Sequence, residues 1–167
     1  CINSITTRLK HYWRSKLLPH VTERNMKIDQ QYLKNLLIAF EDTEGPDTLL
    51  EELESAGYNR DDPNFVFHMR LLYDNGLIVR TDGEQGFGHQ YRSYIGRGHS
   101  YMWIPVPLRL TARGHDFIAD LRQKEVWQTI KTNFKDEGIS TLIELSKSLA
   151  IGFAKKKVKD VTGLDIE

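Results

Sequence analysis

Cysteine is almost absent from this sequence. The single cysteine, Cys1, stands at one end of the chain. A disulfide framework and a cysteine-rich zinc site each need several cysteines, so the sequence excludes both kinds of site. A chain that makes no use of disulfides is typical of a reducing compartment, and we expect a cytoplasmic location.

Long hydrophobic runs are also missing. The longest uncharged apolar stretch, around residues 149–154, is far too short to cross a bilayer. Residues 1–25 lack the pattern of a signal peptide, because their basic residues are scattered among apolar ones instead of preceding an apolar block. We therefore expect no membrane partner.

The chain has no overall excess of charge, since 23 Lys and Arg residues balance 23 Asp and Glu residues. The distribution along the chain is uneven. Residues 1–27 contain six basic residues and one acid, residues 28–79 contain three and eleven, and residues 80–115 contain five and two. DNA would be repelled by the middle segment and attracted by the two flanking segments.

The length of 167 residues and the 40% hydrophobic content predict one compact domain with peripheral helices. A basic amphipathic helix is predicted first, over residues 4–18, because apolar side chains recur there at helical spacing up to Pro19. This helix either packs on the domain through its aromatic face or binds a membrane surface or a partner.

Three helices are predicted in the acidic segment. Asp29 is the expected N-cap of the first helix. Its buried stripe is predicted to contain Tyr32, Leu33, Leu36, Leu37 and Phe40. Asp61 or Asp62 is expected to cap the third helix, because Pro63 follows at the first helical position that proline favours.

Two further polar residues are expected to cap helices. Asp47 precedes the short second helix, which ends at Gly57 and is predicted to turn three leucines inward, namely Leu49, Leu50 and Leu53. Thr111 precedes a helix whose apolar positions continue to Trp127. Both residues have side-chain oxygens that can accept from a free backbone N–H group.

Between these helices the hydrophobic pattern changes to that of extended strands. Residues 76–82, GLIVRTD, predict one strand, and residues 100–111, SYMWIPVPLRLT, predict a second extended run. Pro105 and Pro107 suit an edge position, because proline cannot donate to a strand ladder. A glycine-rich segment, residues 83–100, separates the two runs.

A last helix is predicted over residues 139–158, before a lysine-rich end. Its apolar stripe consists of Leu142, Leu145, Leu149 and Phe153. The stripe either packs on the core or pairs with a second copy of the chain, which would make the protein a homodimer.

The order helix, helix, helix, strand, strand, helix predicts a mainly helical α+β fold, a winged helix-turn-helix. It would contain three helices, a β-hairpin wing with a long insertion, and extra N- and C-terminal helices. We expect residues 1–27 to form the basic helix and linker, residues 28–127 the winged-helix domain, and residues 128–167 a C-terminal helical extension.

Three stretches, MKIDQQYLKNLLIAFED, HMRLLYDNGLI and RLTARGHDFIADLRQKEVWQTIK, together resemble a bacterial and phage protein family, domain-of-unknown-function family 2513. The resemblance covers about residues 26–150, and its most specific part is LT-x-x-GHDF followed by VW. It implies a winged-helix-like fold and an origin on prophages and other mobile elements. It implies no catalytic or ligand residues.

The wing region interleaves cationic and aromatic residues, which can hold phosphates or stack on bases. The candidate nucleic-acid contacts there are Arg80, Arg92, Arg97, Arg109, His89, His99, Tyr91, Tyr94 and Tyr101. Arg8 and Arg14 of the first helix add cationic groups to this set. A long arginine-containing loop that is merely solvated is the alternative interpretation.

The third helix is a poor candidate for insertion into the major groove. Only His68, Arg70 and either Asn64 or Asn75 are available to read base edges. Acidic residues stand at both ends of the helix, including the N-terminal end that a recognition helix normally places against DNA. We therefore expect any nucleic-acid contact to come from the wing or the first helix.

Enzymatic signals are weak. His89, His99 and His115 lack the short helical spacing of a metal-ligand pair, and no serine lies in a nucleophile elbow. We expect a protein that is not an enzyme and has no cofactor.

Two functions remain. The first is a DNA-associated regulator or accessory factor that contacts double-stranded DNA through the wing and the basic helix. The second is an interaction module that offers an acidic face, with Glu51, Glu52 and Glu54, to a basic protein partner.

Overall fold

The computed structural model describes residues 26–96 and 98–165. Within these ranges the chain is an α+β protein with six helices and two small antiparallel sheets. The helices are α1 Gln30–Glu41, α2 Leu50–Ser55, α3 Pro63–Asp74, α4 Ala112–Arg122, α5 Lys124–Asn133 and α6 Ile139–Thr162. The strands are β1 Ile78–Arg80, β2 His89–Tyr94, β3 Gly98–Trp103 and β4 Leu108–Leu110.

The two sheets have different positions in the chain. β1 pairs antiparallel with β4, with Ile78 opposite Leu110 and Arg80 opposite Leu108. Thr48, between α1 and α2, also bridges to Leu108. The second sheet is the hairpin of β2 and β3, which lies in the sequence between β1 and β4. The chain therefore leaves the first sheet, forms the hairpin and returns to the first sheet.

One hydrophobic core includes side chains from all six helices. Its largest fully buried members include Phe65 of α3 and Phe117 of α4. β1 and β4 contribute Ile78, Leu108 and Leu110, whereas neither β2 nor β3 contributes a buried side chain. The hairpin therefore stands on the surface of the domain, and apart from Trp103, which packs against the core, core packing does not explain its side chains.

Three predicted helix caps are confirmed. The Asp29 carboxylate accepts from the Tyr32 N–H, the Asp62 carboxylate from the Asn64 N–H, and the Thr111 hydroxyl from the Gly114 N–H. Each bond satisfies an N–H group that the first helical turn leaves without an internal partner.

The predicted cap of the second helix is wrong. The N-cap of α2 is Leu49, which is 43% exposed and not turned inward. Its backbone N–H donates to the Glu52 carboxylate at 2.7 Å, so a side chain inside the helix satisfies this end. The Asp47 carboxylate instead accepts from the Thr81 hydroxyl after β1.

The single extended run predicted over residues 100–111 is two strands in two different sheets. The break falls at the two prolines, since residues 104–107 belong to neither strand. The glycine-rich segment also contains a strand, β2, whose partner is the first half of this run. Polar and aromatic residues of β2 gave no hydrophobic signal for a strand.

The helix predicted from Thr111 to Trp127 is also two helices. Gln123 has extended backbone angles, φ −66° and ψ 123°, and the chain turns there from α4 into α5. The turn lets both helices bury an apolar face, because Leu121 and Val126 both lie in the core. The predicted domain boundary at residues 127–128 falls inside α5.

The last helix, α6, is longer than predicted and packs mainly through its first half. Leu142 is buried, whereas Leu145, Leu149 and Phe153 are half-buried. None of the described helices is both long and apolar enough to cross a membrane. The predicted basic helix, with Arg8 and Arg14, lies outside the described residues.

Candidate functional site

The two faces of the β2–β3 hairpin differ in chemistry. Alternate residues of a strand point to opposite faces, and paired residues share a face. On one face lie His89 opposite Trp103, Tyr91 opposite Tyr101, and Ser93 opposite His99. The other face has Gln90 opposite Met102, Arg92 opposite Ser100, and Tyr94 opposite Gly98. The predicted contacts His89, Tyr91 and His99 thus share a face, and Arg92 and Tyr94 lie on the reverse.

The aromatic rings on the first face form a continuous row, which we call the aromatic row. In order outward it consists of Trp103, His89, Tyr101, Tyr91 and His99. Neighbouring ring centroids are 4.7, 4.9, 5.2 and 5.3 Å apart. The His89 and Tyr101 planes are nearly parallel, at 3°. Such distances are those of interacting aromatic pairs.

The outer rings of the aromatic row are more exposed than the inner rings. The inner end contacts the core, where the centroid of Trp103 is 5.8 Å from that of the fully buried Phe65. The Trp103 indole N–H also donates to the Arg60 carbonyl at 3.1 Å. In contrast, Tyr101 is 57% and Tyr91 54% exposed. The inner rings thus fix the hairpin to the domain, and the outer rings are available for contact.

An open groove of about 480 Å³ separates the aromatic row from α3. Pro63, Val66, Phe67 and Arg70 of α3 line one side, and His89, Tyr101 and Trp103 line the other. The lining also includes Met26 and one residue of each charge just before α3, Arg60 and Asp61. The Arg70 guanidinium lies over the Tyr101 ring at 5.5 Å, which is a cation–π distance. Burial and, secondarily, this guanidinium lower the pKa of His89, so the ring is neutral near pH 7.

The three wing arginines that the structure describes have different surroundings. Arg80 forms a two-point ion pair with Asp82, and its side chain is only 14% exposed. Arg109 stands opposite Val79, one register position away from Arg80, so the two arginines point to opposite faces. Arg92 lies on the hairpin, with Gln90 3.5 Å away. Arg97 lies outside the described residues.

Two of the predicted base-reading side chains of this region, His68 and Asn75, have structural roles. His68 is fully buried, so its side chain is not available to read a base edge. Asn75 donates to the Leu71 carbonyl and accepts from the Ser140 hydroxyl. Arg70 is the exposed member of the predicted set, and it points toward the hairpin groove.

The acidic residues of α2 make contacts within the chain. Both carboxylate oxygens of Glu54 bind Arg60 at 2.5 Å, and Glu51 lies 3.6 Å from the same guanidinium. Arg60 holds the pKa of the Glu54 carboxyl below its usual range. Glu52 caps its own helix and also lines a second open groove, of about 520 Å³, between α1 and α2. Asp42 and Glu44 line this groove as well.

The described residues contain no cluster of three or more His, Cys, Asp and Glu side chains that could hold a metal. His89 and His99 lie on the hairpin, whereas His115 on α4 is 3.4 Å from the Glu41 carboxylate. No residue was predicted to hold a cofactor.

The prediction missed Trp103 and the continuity of the aromatic row. A signal was present, because aromatic residues occur at every second position in 89–91 and again in 99–103. This period of two is that of a strand face. It was obscured because a strand is usually recognised from apolar residues, and the alternating residues here are histidine and tyrosine.

The stretch LTARGHDF, residues 110–117, forms a structural joint. The Thr111 hydroxyl caps α4 and also donates to the Gly76 carbonyl at 2.6 Å. A Cβ atom on Gly114 would lie 2.3 Å from the Leu77 carbonyl oxygen, so only glycine lets α4 approach β1 this closely. Phe117 completes the joint in the core. The motif therefore has a structural role, and it indicates no catalytic or binding residue.

Comparison with known proteins gives one family. A family model with the description "Hypothetical protein (DUF2513)" matches residues 27–140, more than half of the chain. No curated protein and no solved structure matches the sequence. The match includes α1 to α5 and the whole hairpin. The chain therefore belongs to the DUF2513 family, as its sequence predicted.

Proposed function

We propose that this protein is a non-enzymatic winged-helix protein that associates with nucleic acid, as a regulator or accessory factor of a phage, mobile-element or bacterial system. The element order supports the winged-helix assignment, because three helices precede the β1–β4 pair and Thr48 bridges to β4. The β2–β3 hairpin is then a long insertion in the wing. The phage, mobile-element or bacterial system is what the resemblance to the family implies.

The observation that carries the proposal is the distribution of charge. Between Glu84 and Asp116 the chain contains no acidic residue, and this stretch includes the whole hairpin with Arg92 and Arg97. Residues 28–79, which form α1 to α3, contain eleven acids and three basic residues. A polyanion would therefore approach the hairpin and avoid the outer surfaces of α1 and α2.

We assign the nucleic-acid contact to the hairpin and not to α3. Asp61 and Asp62 stand at the N-terminal end of α3, where they stabilise the helix dipole and repel phosphates. The outer side of α3 also faces the base of the hairpin across the groove. Arg70 extends from α3 toward the hairpin, so α3 contributes one cation to the hairpin surface.

Binding to duplex DNA at several salt concentrations tests the proposal. Arg92→Ala with Arg97→Ala should weaken binding and reduce the slope of log K against log[salt] by up to about two units, because each lost phosphate contact removes about 0.9. Lys155→Ala with Lys156→Ala removes the same charge from exposed positions of α6 and should change the slope little. No binding to nucleic acid even at low salt would refute the proposal.

The groove between α1 and α2 supports a second candidate function. Its carboxylates, from Asp42, Glu44 and Glu52, suit a basic protein segment. Asp42→Lys with Glu44→Lys, both at exposed positions of the groove, should then abolish capture of a basic partner, and a wild-type chain that captures none would contradict this candidate. We exclude Glu51 and Glu54 from the test because both carboxylates already lie within ion-pair distance of Arg60.

A further inference from the structure

We propose that the aromatic row binds unpaired nucleobases, so that the hairpin recognises single-stranded or locally unpaired nucleic acid. This inference rests on the proposed nucleic-acid association and names the form of nucleic acid. The inference depends on one arrangement of side chains. The exposed residues Tyr91 and Tyr101 lie on one face of the hairpin, with Arg70 beside Tyr101.

The exposed rings form one aromatic surface, in which the planes of Tyr91 and Tyr101 meet at 63°. Tyr91 and Tyr101 are cross-strand partners, each more than half exposed, and their centroids are 5.2 Å apart. His99 extends the surface toward the hairpin tip, where its centroid is 5.3 Å from that of Tyr91. Aromatic side chains exposed on one face of a sheet bind single strands by stacking on successive bases.

Packing within the chain does not require these outer rings. Trp103 and His89 already hold the hairpin against Phe65 and the Arg60 carbonyl. An exposed aromatic surface of this kind is unfavourable in water and marks a contact site more often than not. The two tyrosines therefore have a surface that a ligand could cover.

The charges beside the row suit a ligand with phosphates. Among the described residues, no carboxylate lies within ion-pair distance of Arg70 or Arg92. Arg70 lies over the Tyr101 ring, and Arg92 lies on the reverse face at the next register position to Tyr91. A base stacked on the tyrosines would place its phosphate near Arg70, which lies on their side of the hairpin.

Unpaired bases fit this surface better than a duplex does. In a duplex the faces of the bases are covered by their neighbours, so aromatic rings find no free face. A proline-rich peptide also binds aromatic grooves, but it offers no anion to Arg70, which has no carboxylate partner within the described part of the chain. The aromatic and cationic groups together therefore favour a single strand.

The test compares a labelled single strand of about 12 nucleotides with a duplex of the same sequence, by fluorescence anisotropy. Tyr91→Leu and Tyr101→Leu remove the rings but keep apolar side chains. We expect each substitution to weaken single-strand binding about tenfold, or ~1.4 kcal/mol, and to leave duplex binding nearly unchanged. Ile151→Ala, at a 48% exposed apolar residue of α6 outside the hairpin, is the control and should leave single-strand binding unchanged.

The outcomes separate this inference from the proposed function. Duplex binding as tight as single-strand binding, with no effect of Tyr91→Leu or Tyr101→Leu, overturns the inference and leaves the nucleic-acid association standing. Binding of neither probe overturns both. Binding of a labelled proline-rich peptide that depends on Tyr91 and Tyr101, without binding of the single strand, also overturns the inference. Thermal unfolding checks that the hairpin substitutions leave the fold intact. Each variant should have the same midpoint temperature as the wild type.

Discussion

The imidazole of His68 in α3 accepts a hydrogen bond from the backbone N–H of Asp29, the cap of α1, with 3.1 Å between Nε2 and the nitrogen. The other ring nitrogen, Nδ1, donates to the Asn64 carbonyl at 2.8 Å. A backbone N–H can only donate and a carbonyl can only accept, so the ring is the neutral tautomer with its proton on Nδ1. Protonation of Nε2 would remove the acceptor that Asp29 uses.

This bond predicts a loss of stability in mild acid. Burial lowers the pKa of His68 below the unfolded value of about 6.5. As pH falls, the unfolded chain therefore binds the proton first, and unfolding becomes easier. The contribution of His68 is complete above pH ~6.5 and declines from there toward the folded-state pKa. Urea midpoints measured at pH values on both sides of this window should show the decline.

Two variants isolate the contribution of His68. His68→Phe leaves the Asp29 N–H without its acceptor, so at alkaline pH it should cost about 1–3 kcal/mol. It should also show a smaller decline in acid than the wild type. His99→Phe, at an exposed histidine, should keep the full decline. An equal decline in His68→Phe and wild type would contradict the assignment.

The helices were the most predictable part of the fold, and the reason is local. Asp29, Asp62 and Thr111 act within their own helix ends, so their roles can be read from neighbouring residues. The turn at Gln123 was not predictable in the same way, because it depends on how α4 and α5 both reach the core. Asp47 failed as a cap for a similar reason, since Thr81 from a distant part of the chain binds its carboxylate.

The candidate site was predicted in its composition but not in its geometry. The sequence identified histidines, tyrosines and arginines between the strands. It did not show that Arg80 is paired with Asp82, or that Arg109 points away from it, because both facts depend on strand register. Arg70 of α3 contacts Tyr101 of β3 across the groove. The sequence around either residue could not predict this contact, because it depends on how the two elements pack.

Two glycine-to-alanine substitutions should have opposite effects on stability. Gly114→Ala places a Cβ 2.3 Å from the Leu77 carbonyl oxygen, and the resulting shift of α4 should cost about 1–3 kcal/mol. Gly152→Ala lies inside α6 with open space around it, so it should stabilise the chain by about 0.5–1 kcal/mol through helix propensity. Denaturant unfolding of both variants measures the difference. A Gly114→Ala variant as stable as wild type would refute the close approach of α4 to β1.

A pair of leucines in α6 tests whether this helix is stabilised by the core of its own chain or by a second copy. Leu142 is 2% exposed within the core, so Leu142→Ala should cost about 2–5 kcal/mol. Leu145 is half-buried and lies outside the core cluster, so Leu145→Ala should cost only about 1 kcal/mol in a monomer.

Protein concentration distinguishes the two arrangements of α6. In a monomer, the urea midpoints of wild type and both variants stay constant as concentration rises. If α6 pairs with a second copy through the Leu145 side, the wild-type midpoint rises with concentration, because dissociation accompanies unfolding. Leu145→Ala would then reduce that rise and shift the mass measured by light scattering toward the monomer. Since Leu142, Leu149 and Phe153 already pack against the core, we expect the concentration-independent result.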